Sequence, residues 1–177
     1  MKKILTTKKI RKNKVSEGSL PLQMLTCYDY QNACLLDNTE LDLILVGDSL
    51  GNVILGYDTT VEVSLEEMIV FTSAVKRGAK NTFVVGDLPF GTYSTLESAL
   101  KNAILLFQKS KVEALKLEGA FPHQLDIITR LTQTGIPIMG HIGLTPQTIK
   151  GKFKSVGKTE KEKIKLCKDA KALENSG

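Results

Sequence analysis

The stretch DLILVGDSLG, residues 42–51, joins a short apolar run to an acidic residue and then a glycine. A short, largely apolar run of this kind is typical of a strand that is covered on both faces in a parallel sheet. Similar runs predict four further strands, at 22–28, 83–88, 114–118 and 136–141. Helical patterns lie between or after them, at 30–39, 64–77, 94–110, 123–134 and 159–175. This alternation of strand and helix indicates an α/β fold.

Capping residues fix several of the predicted helix ends. Ser64 and Glu67 stand at capping-box spacing, and so do Thr159 and Glu162. Gly78 is placed to end the helix that begins after Ser64, and Gly135 is placed to end the helix over 123–134.

Polar residues at the strand ends distinguish an open doubly wound sheet from a closed barrel. Asp48, Asp87, Glu118 and His141 each stand at the C-terminal end of a predicted strand. Four successive strand ends converge on one mouth in a (β/α)8 TIM barrel, whereas an open sheet gathers its site at one switch point. We therefore expect residues 1–177 to form a single domain, the N-terminal two-thirds of a TIM barrel, with five of its eight strands.

The same strand ends carry the residues that could do chemistry. Lys116 and Glu118 are two residues apart on one strand and so share a face, which in a barrel is the interior. Asp48, Asp87 and Glu118 would give three hard oxygen ligands suited to Mg²⁺. A 2-oxo acid could chelate such an ion, which would stabilise an enolate, with Lys116 adding positive charge.

Several of these residues also allow a structural interpretation. Asp48 and Ser49 could equally cap a helix or form a turn, and Asp87 before Leu-Pro could be a turn residue. His141, between two glycines, could line the site or simply bond a neighbouring carboxylate. His123, after Pro122, is interpreted as a surface or capping residue.

Composition excludes several classes of protein. The net charge of +5 comes largely from seven Lys and Arg among the first fourteen residues, which predict a solvated N-terminal helix. No aromatic residues alternate with these charges, so nucleic-acid binding is not expected. Three cysteines without CxxC spacing suggest neither disulfides nor zinc and fit a cytoplasmic protein. No apolar run approaches the roughly 20 residues of a membrane span, and no signal peptide is predicted.

Five motifs taken in order resemble the ketopantoate hydroxymethyltransferase family. They are MLTCYDY (24–30), DLILVGDSLGNVILGYDTT (42–60), FVVGDLPFGTY (83–93), KLEGA (116–120) and GHIGLTPQ (140–147). The resemblance implies a TIM barrel of the phosphoenolpyruvate/pyruvate type, assembled as a homodecamer. It also implies transfer of a hydroxymethyl group from 5,10-methylenetetrahydrofolate to 3-methyl-2-oxobutanoate, giving 2-dehydropantoate for pantothenate synthesis.

The resemblance also implies roles for individual residues. Asp48, Asp87 and Glu118 match the Mg²⁺ positions. The positions that bind the oxo acid are matched by Asp48, Ser49, Asp87 and Lys116. His141 matches an active-site histidine. The family's general base, a glutamate, is expected beyond Gly177.

This chain also departs from the family pattern. Segment 148–158 looks shortened, with Lys152 where a second glycine is expected, and residues 37–41 lack a glycine found in the family. Two other interpretations stay open: an inactive remnant or assembly partner without the base, and a related Mg²⁺-dependent lyase or mutase barrel that also binds 2-oxo acids.

Overall fold

The computed structural model describes residues 4–148 and 154–177. Its strands are β1 (Met24–Thr26), β2 (Leu43–Val46), β3 (Phe83–Asp87), β4 (Ala114–Glu118) and β5 (Ile138–His141). Its α-helices are α1 (Thr7–Lys12), α2 (Tyr30–Asp37), α3 (Leu65–Gly78), α4 (Leu96–Ser110), α5 (Pro122–Gln133) and α6 (Glu160–Ser176). Short 3-10 turns at Val15–Glu17 and Thr60–Glu62 and a π-helical turn at Gly51–Leu55 complete the order. The predicted strands and helices are all confirmed, most with slightly different bounds.

The five strands form one parallel sheet in the order β1-β2-β3-β4-β5. A doubly wound sheet would reverse its strand order at a switch point. Each strand here instead pairs with the next along the chain, as in a (β/α)8 barrel. The predicted barrel order is therefore confirmed, with five strands among the residues that the structure describes.

The two faces of the sheet bury different apolar clusters, because successive side chains on a strand point to opposite faces. Ile44, Val84 and Leu115 belong to the larger cluster, which also includes Met68 of α3 and Leu106 of α4. The other face carries a smaller cluster made of Leu43, Phe83, Val85 and Ala114, against which Leu5 and Ile10 pack from the N-terminal segment. This second face corresponds to the interior of the barrel.

Local signals set most helix ends. The predicted capping boxes of α3 and α6 are present, and Gly135 adopts φ +91° after α5. Helix α4 begins at Leu96, two residues after the predicted start at 94, because Thr95 caps it, accepting a hydrogen bond from the backbone N–H of Ser98.

Helix α3 ends at Gly78, as predicted, and Gly78 does not adopt a left-handed conformation. A β-carbon at this position would lie 2.6 Å from the carbonyl oxygen of Tyr30 and 2.8 Å from Cβ of Ala33. The glycine is therefore required by the close approach of α2 and α3.

Some remaining predictions concern the surface and the ends of the chain. His123 is exposed near the start of α5, where its ring stacks on Phe121 with centroids 6.1 Å apart, as expected for a surface residue. Lys152 lies outside the described residues. In the described part of the chain, no helix is long and apolar enough to cross a membrane.

Candidate active site

The charged residues predicted at the strand ends lie on the interior face of the sheet. Asp87 and Lys116 are register partners across β3 and β4, and Glu118 and His141 are partners across β4 and β5. They continue the two-residue repeat that places Val85 and Ala114 in the interior cluster. The interior face is therefore apolar at the N-terminal ends of the strands and charged at the C-terminal ends.

Lys116 is the centre of the charged cluster. Its Nζ lies 2.5 Å from Oδ2 of Asp87 and 3.6 Å from Oε1 of Glu118. The backbone N–H of Asp48 donates to Oδ2 of Asp87 at 3.3 Å, which brings the end of β2 against the end of β3. His141 Nδ1 lies 3.2 Å from Oε1 of Glu118. The structure thus brings together residues that are far apart in sequence.

Burial and excess negative charge govern the electrostatics of this cluster. Burial raises the pKa of Asp87 to about 7, against the attraction of the Lys116 ammonium. Burial likewise raises the pKa of Asp48. Burial alone would lower the pKa of Lys116, but the surrounding carboxylates, Asp87 first, hold this pKa above its ordinary value. The cluster is therefore short of positive charge.

Ser49 lies at the edge of the cluster, directly after Asp48. Its Oγ is 2.8 Å from the hydroxyl oxygen of Tyr28, a residue on the loop that follows β1. Both side chains are half-buried. The hydroxyl of Ser49 is thus held in place by a neighbour that sequence reasoning did not single out.

Gln147 and Tyr93 are two further buried residues that sequence reasoning missed. The Gln147 amide donates to Oδ2 of Asp48 at 2.9 Å, and its backbone N–H donates to Oε2 of Glu118 at 3.2 Å. The side-chain amide oxygen of Gln147, Oε1, accepts a hydrogen bond from the Tyr93 hydroxyl. Both residues stand within motifs that carried the family resemblance, but a neutral polar residue on a loop gives no periodic signal.

The donor chemistry of the cluster fits a hard divalent cation. With three carboxylates and one lysine ionised, the cluster has two negative charges in excess, and Oδ1 of Asp87 is buried without a hydrogen-bond partner. Oxygen ligands of this kind suit Mg²⁺. Within residues 4–148 and 154–177, however, no three His, Cys, Asp or Glu side chains already stand in a metal-binding arrangement. Lys116 instead lies against two of the carboxylates, and the metal assignment stays a prediction.

Comparison with known families places this cluster in context. A family model described as ketopantoate hydroxymethyltransferase matches residues 4–177. The chain belongs to the ketopantoate hydroxymethyltransferase family. The resemblance predicted from the five sequence motifs is thereby confirmed.

Relatives of the family are similar across almost the whole chain. The protein named 3-methyl-2-oxobutanoate hydroxymethyltransferase in Heliobacterium modesticaldum is 51% identical to this chain, and the match covers 88% of this chain and 57% of the relative. The relative in Bacillus licheniformis is 50% identical, over 93% and 60%. The one in Sulfurimonas denitrificans is 46% identical, over 100% and 66%. The chain thus spans about three-fifths of the length of these ketopantoate hydroxymethyltransferase relatives.

Solved structures of other proteins share the fold. A 2,3-dimethylmalate lyase, described as a member of the PEP mutase/isocitrate lyase superfamily, matches 99% of this chain and 62% of its own with a TM-score of 0.64 at 13% identity. A phosphoenolpyruvate phosphomutase from Streptomyces platensis matches 98% and 62% with a TM-score of 0.68 at 10% identity. These likenesses, at low sequence identity, show a shared fold and confirm the predicted TIM-barrel class.

Proposed function

We propose that this chain forms the substrate-binding part of a ketopantoate hydroxymethyltransferase. The reaction transfers a hydroxymethyl group from 5,10-methylenetetrahydrofolate to 3-methyl-2-oxobutanoate and gives 2-dehydropantoate, a step of pantothenate synthesis. The observation that carries the proposal is the buried cluster of three carboxylates and Lys116 at the C-terminal ends of the strands. In barrels of this kind, that end of the sheet is where catalytic groups lie.

On this proposal the three carboxylates, Asp48, Asp87 and Glu118, would hold Mg²⁺. The ion would supply Lewis acidity to the keto oxygen of the oxo acid and offset the excess negative charge of the cluster. The unpartnered oxygen of Asp87 supports this role, because a buried carboxylate oxygen without a donor is destabilising.

The remaining residues bind and orient the oxo acid. Lys116 places a buried ammonium beside the carboxylates and would stabilise negative charge that develops on a substrate oxygen. Ser49 offers a hydroxyl that Tyr28 fixes in position. His141 lines the site and lies against Glu118, which keeps that carboxylate oriented.

Other parts of the proposal concern groups outside these residues. The general base that removes the C3 proton of the oxo acid would be a glutamate that follows Gly177 in sequence. The folate co-substrate would bind at the same mouth, and the complete protein would act in the cytoplasm as a homodecamer. These 177 residues are therefore expected to bind the oxo acid without releasing its C3 proton.

The lyase and mutase alternative receives less support than the transferase. The solved lyase and mutase structures share the fold at 10 to 13% identity, whereas the named transferases are 46 to 51% identical. If the protein is instead an assembly partner, this chain should still bind the oxo acid. The two interpretations differ only in whether a longer polypeptide catalyses the reaction.

Isothermal titration calorimetry with 3-methyl-2-oxobutanoate tests the proposal directly. We expect binding in the presence of Mg²⁺ and little binding with EDTA. Asp48→Asn should weaken this binding at least about tenfold, because it removes one proposed charged ligand of the cation. Asp126→Asn removes an exposed carboxylate on α5 and should bind as the wild type does.

Proton exchange distinguishes the transferase from an assembly partner. A polypeptide that continues through the expected glutamate should exchange the C3 proton of the oxo acid with D₂O when Mg²⁺ is present, as followed by ¹H NMR. No exchange by such a folded polypeptide, or Mg²⁺-independent binding by the present chain, would contradict the proposed function.

A further inference from the structure

Gln147 is a buried polar residue that the proposed chemistry does not use. It lies on the loop after β5 and is 4% exposed. Its Nε2 donates to Oδ2 of Asp48 at 2.9 Å and to the carbonyl oxygen of Leu88 at 3.0 Å. Its backbone N–H donates to Oε2 of Glu118 at 3.2 Å. One residue thus makes hydrogen bonds to two of the three carboxylates in the cluster.

The orientation of the Gln147 amide follows from its neighbours. A carbonyl and a carboxylate oxygen can only accept from it, so the NH₂ group must face Leu88 and Asp48. The amide oxygen then faces Tyr93, whose hydroxyl donates to it. Burial raises the pKa of Tyr93, so its hydroxyl keeps its proton and stays a donor. Tyr93 therefore holds the amide oxygen of Gln147 in the orientation that Leu88 and Asp48 set.

These contacts connect strands that do not touch each other. Asp48 follows β2 and Glu118 ends β4, and β3 lies between them in the sheet. The loop residues Leu88 and Tyr93 follow β3. Gln147 therefore links the ends of β2, β3 and β4 through hydrogen bonds that are all buried.

We propose that Gln147 is a positioning residue for the carboxylate cluster and that Tyr93 anchors its side-chain amide oxygen. Gln147 engages one oxygen of Asp48 and one of Glu118, and so limits the rotation of both side chains before any ligand binds. This inference rests on the proposed function, because it assigns the positioned carboxylates to cation and oxo acid binding. Hydrogen-bonded partners of ligating carboxylates typically change metal affinity by about 10- to 100-fold when they are removed.

Binding of Mn²⁺, counted by electron paramagnetic resonance of the free ion, tests the inference on the 177-residue chain. Gln147→Met keeps the length of the side chain and removes its amide. We expect this variant to raise the dissociation constant for Mn²⁺ about tenfold or more. Tyr93→Phe removes one hydroxyl and should cause a smaller loss. Gln108→Met, at an exposed position of α4, is the matched control and should bind as the wild type does.

A merely structural role for Gln147 has a different signature. It would lower the melting temperature of Gln147→Met while folded protein, measured well below that temperature, kept the wild-type affinity for Mn²⁺. That result would overturn the inference. A graded loss of affinity, larger for Gln147→Met than for Tyr93→Phe, would support it.

Failure of the proposed function can be told apart from failure of this inference. If the wild-type chain binds neither Mn²⁺ nor the oxo acid, the proposed function fails, and crystal structures of the metal-free wild type and Gln147→Met then decide the positioning role. A reoriented carboxylate at Asp48, which loses its hydrogen bond from the side-chain amide in the variant, would support that role, and an unchanged Asp48 carboxylate would overturn it.

Discussion

Asp87 is the residue at which burial and charge oppose each other most strongly. It is fully buried, and its Oδ1 has no hydrogen-bond partner. Its Oδ2 accepts a hydrogen bond from the Lys116 ammonium. Burial raises the pKa of Asp87 from 3.8 to about 7, although the Lys116 ammonium acts in the opposite direction. Between these two pH values the folded chain binds a proton that the unfolded chain has released.

The stability of the metal-free chain is therefore expected to fall as pH rises. The free energy of unfolding decreases with pH wherever the native state binds more protons than the unfolded state, which for Asp87 is the interval from about pH 4 to 7. The loss attributable to Asp87 is at most about 4 kcal/mol, since one pH unit corresponds to about 1.4 kcal/mol. Urea denaturation in EDTA at several pH values measures it.

Substitution identifies the group responsible for this slope. Asp87→Asn cannot ionise, so its stability should depend less on pH than that of the wild type in the same interval. Asp126→Asn, with its exposed side chain, should keep the wild-type slope. An unchanged slope in Asp87→Asn would show that other groups cause the pH dependence.

Among the elements, the contact between α2 and α3 depends on a single glycine. In most helices, replacing glycine by alanine adds about 1 kcal/mol of stability. At Gly78, however, the added β-carbon would meet the backbone oxygen of Tyr30 at 2.6 Å, and backbone cannot move aside as a flexible side chain does. The tertiary contact is therefore expected to reverse the sign of the propensity effect.

Gly78→Ala is expected to destabilise the chain by about 2 kcal/mol, the usual size of an overpacking effect. The measurement is chemical denaturation at a fixed pH. Lys101→Ala changes an exposed position of α4 and should stay within about 0.5 kcal/mol of the wild type. A more stable Gly78→Ala variant would mean that the two helices lie farther apart than in this structure.

The strands show which features of an element the local sequence pattern predicts. Their short apolar runs predicted β1 to β5 in number and order, because each run is bounded by turn residues close in sequence. Their ends were less well predicted: β1 covers Met24–Thr26 rather than 22–28. A strand ends where its neighbour no longer pairs with it, and that limit is set by another segment of the chain.

At the scale of the whole molecule, β1 and β5 are the edge strands of the sheet within the described residues, and the relatives are longer than this chain. The residues of β5 are only partly buried, while those of β3 and β4 are fully buried. Ligands at the charged cluster would contact the ends of strands that are paired only in the folded state. Ligands that bind only the folded state stabilise it by mass action.

Thermal unfolding tests this coupling. With Mg²⁺ and 3-methyl-2-oxobutanoate each at 100 times its dissociation constant, the folded state should gain about 2.7 kcal/mol from each bound ligand, and the melting temperature should rise. Either ligand alone should raise it less. Asp48→Asn should show little increase, and an equal increase in that variant would place the ligands elsewhere on the molecule.

The sequence by itself determined the alternation of strand and helix, the barrel order and the presence of Asp48, Asp87, Glu118 and His141 at strand ends. These features depend on residues near each other in sequence: the two-residue repeat of a strand, the turn after it and the capping residues of the next helix.

Only the tertiary structure decided the roles of Gln147, Tyr93, Tyr28 and Gly78. Gln147 and Asp48 are 99 residues apart, and nothing in the local pattern of either predicts their hydrogen bond. The raised pKa of Asp87 is likewise a property of the folded chain, because burial and the charges of Lys116 and Asp48 act on it only after the strands have paired. Distances between segments that are remote in sequence set all of these features, and folding alone defines those distances.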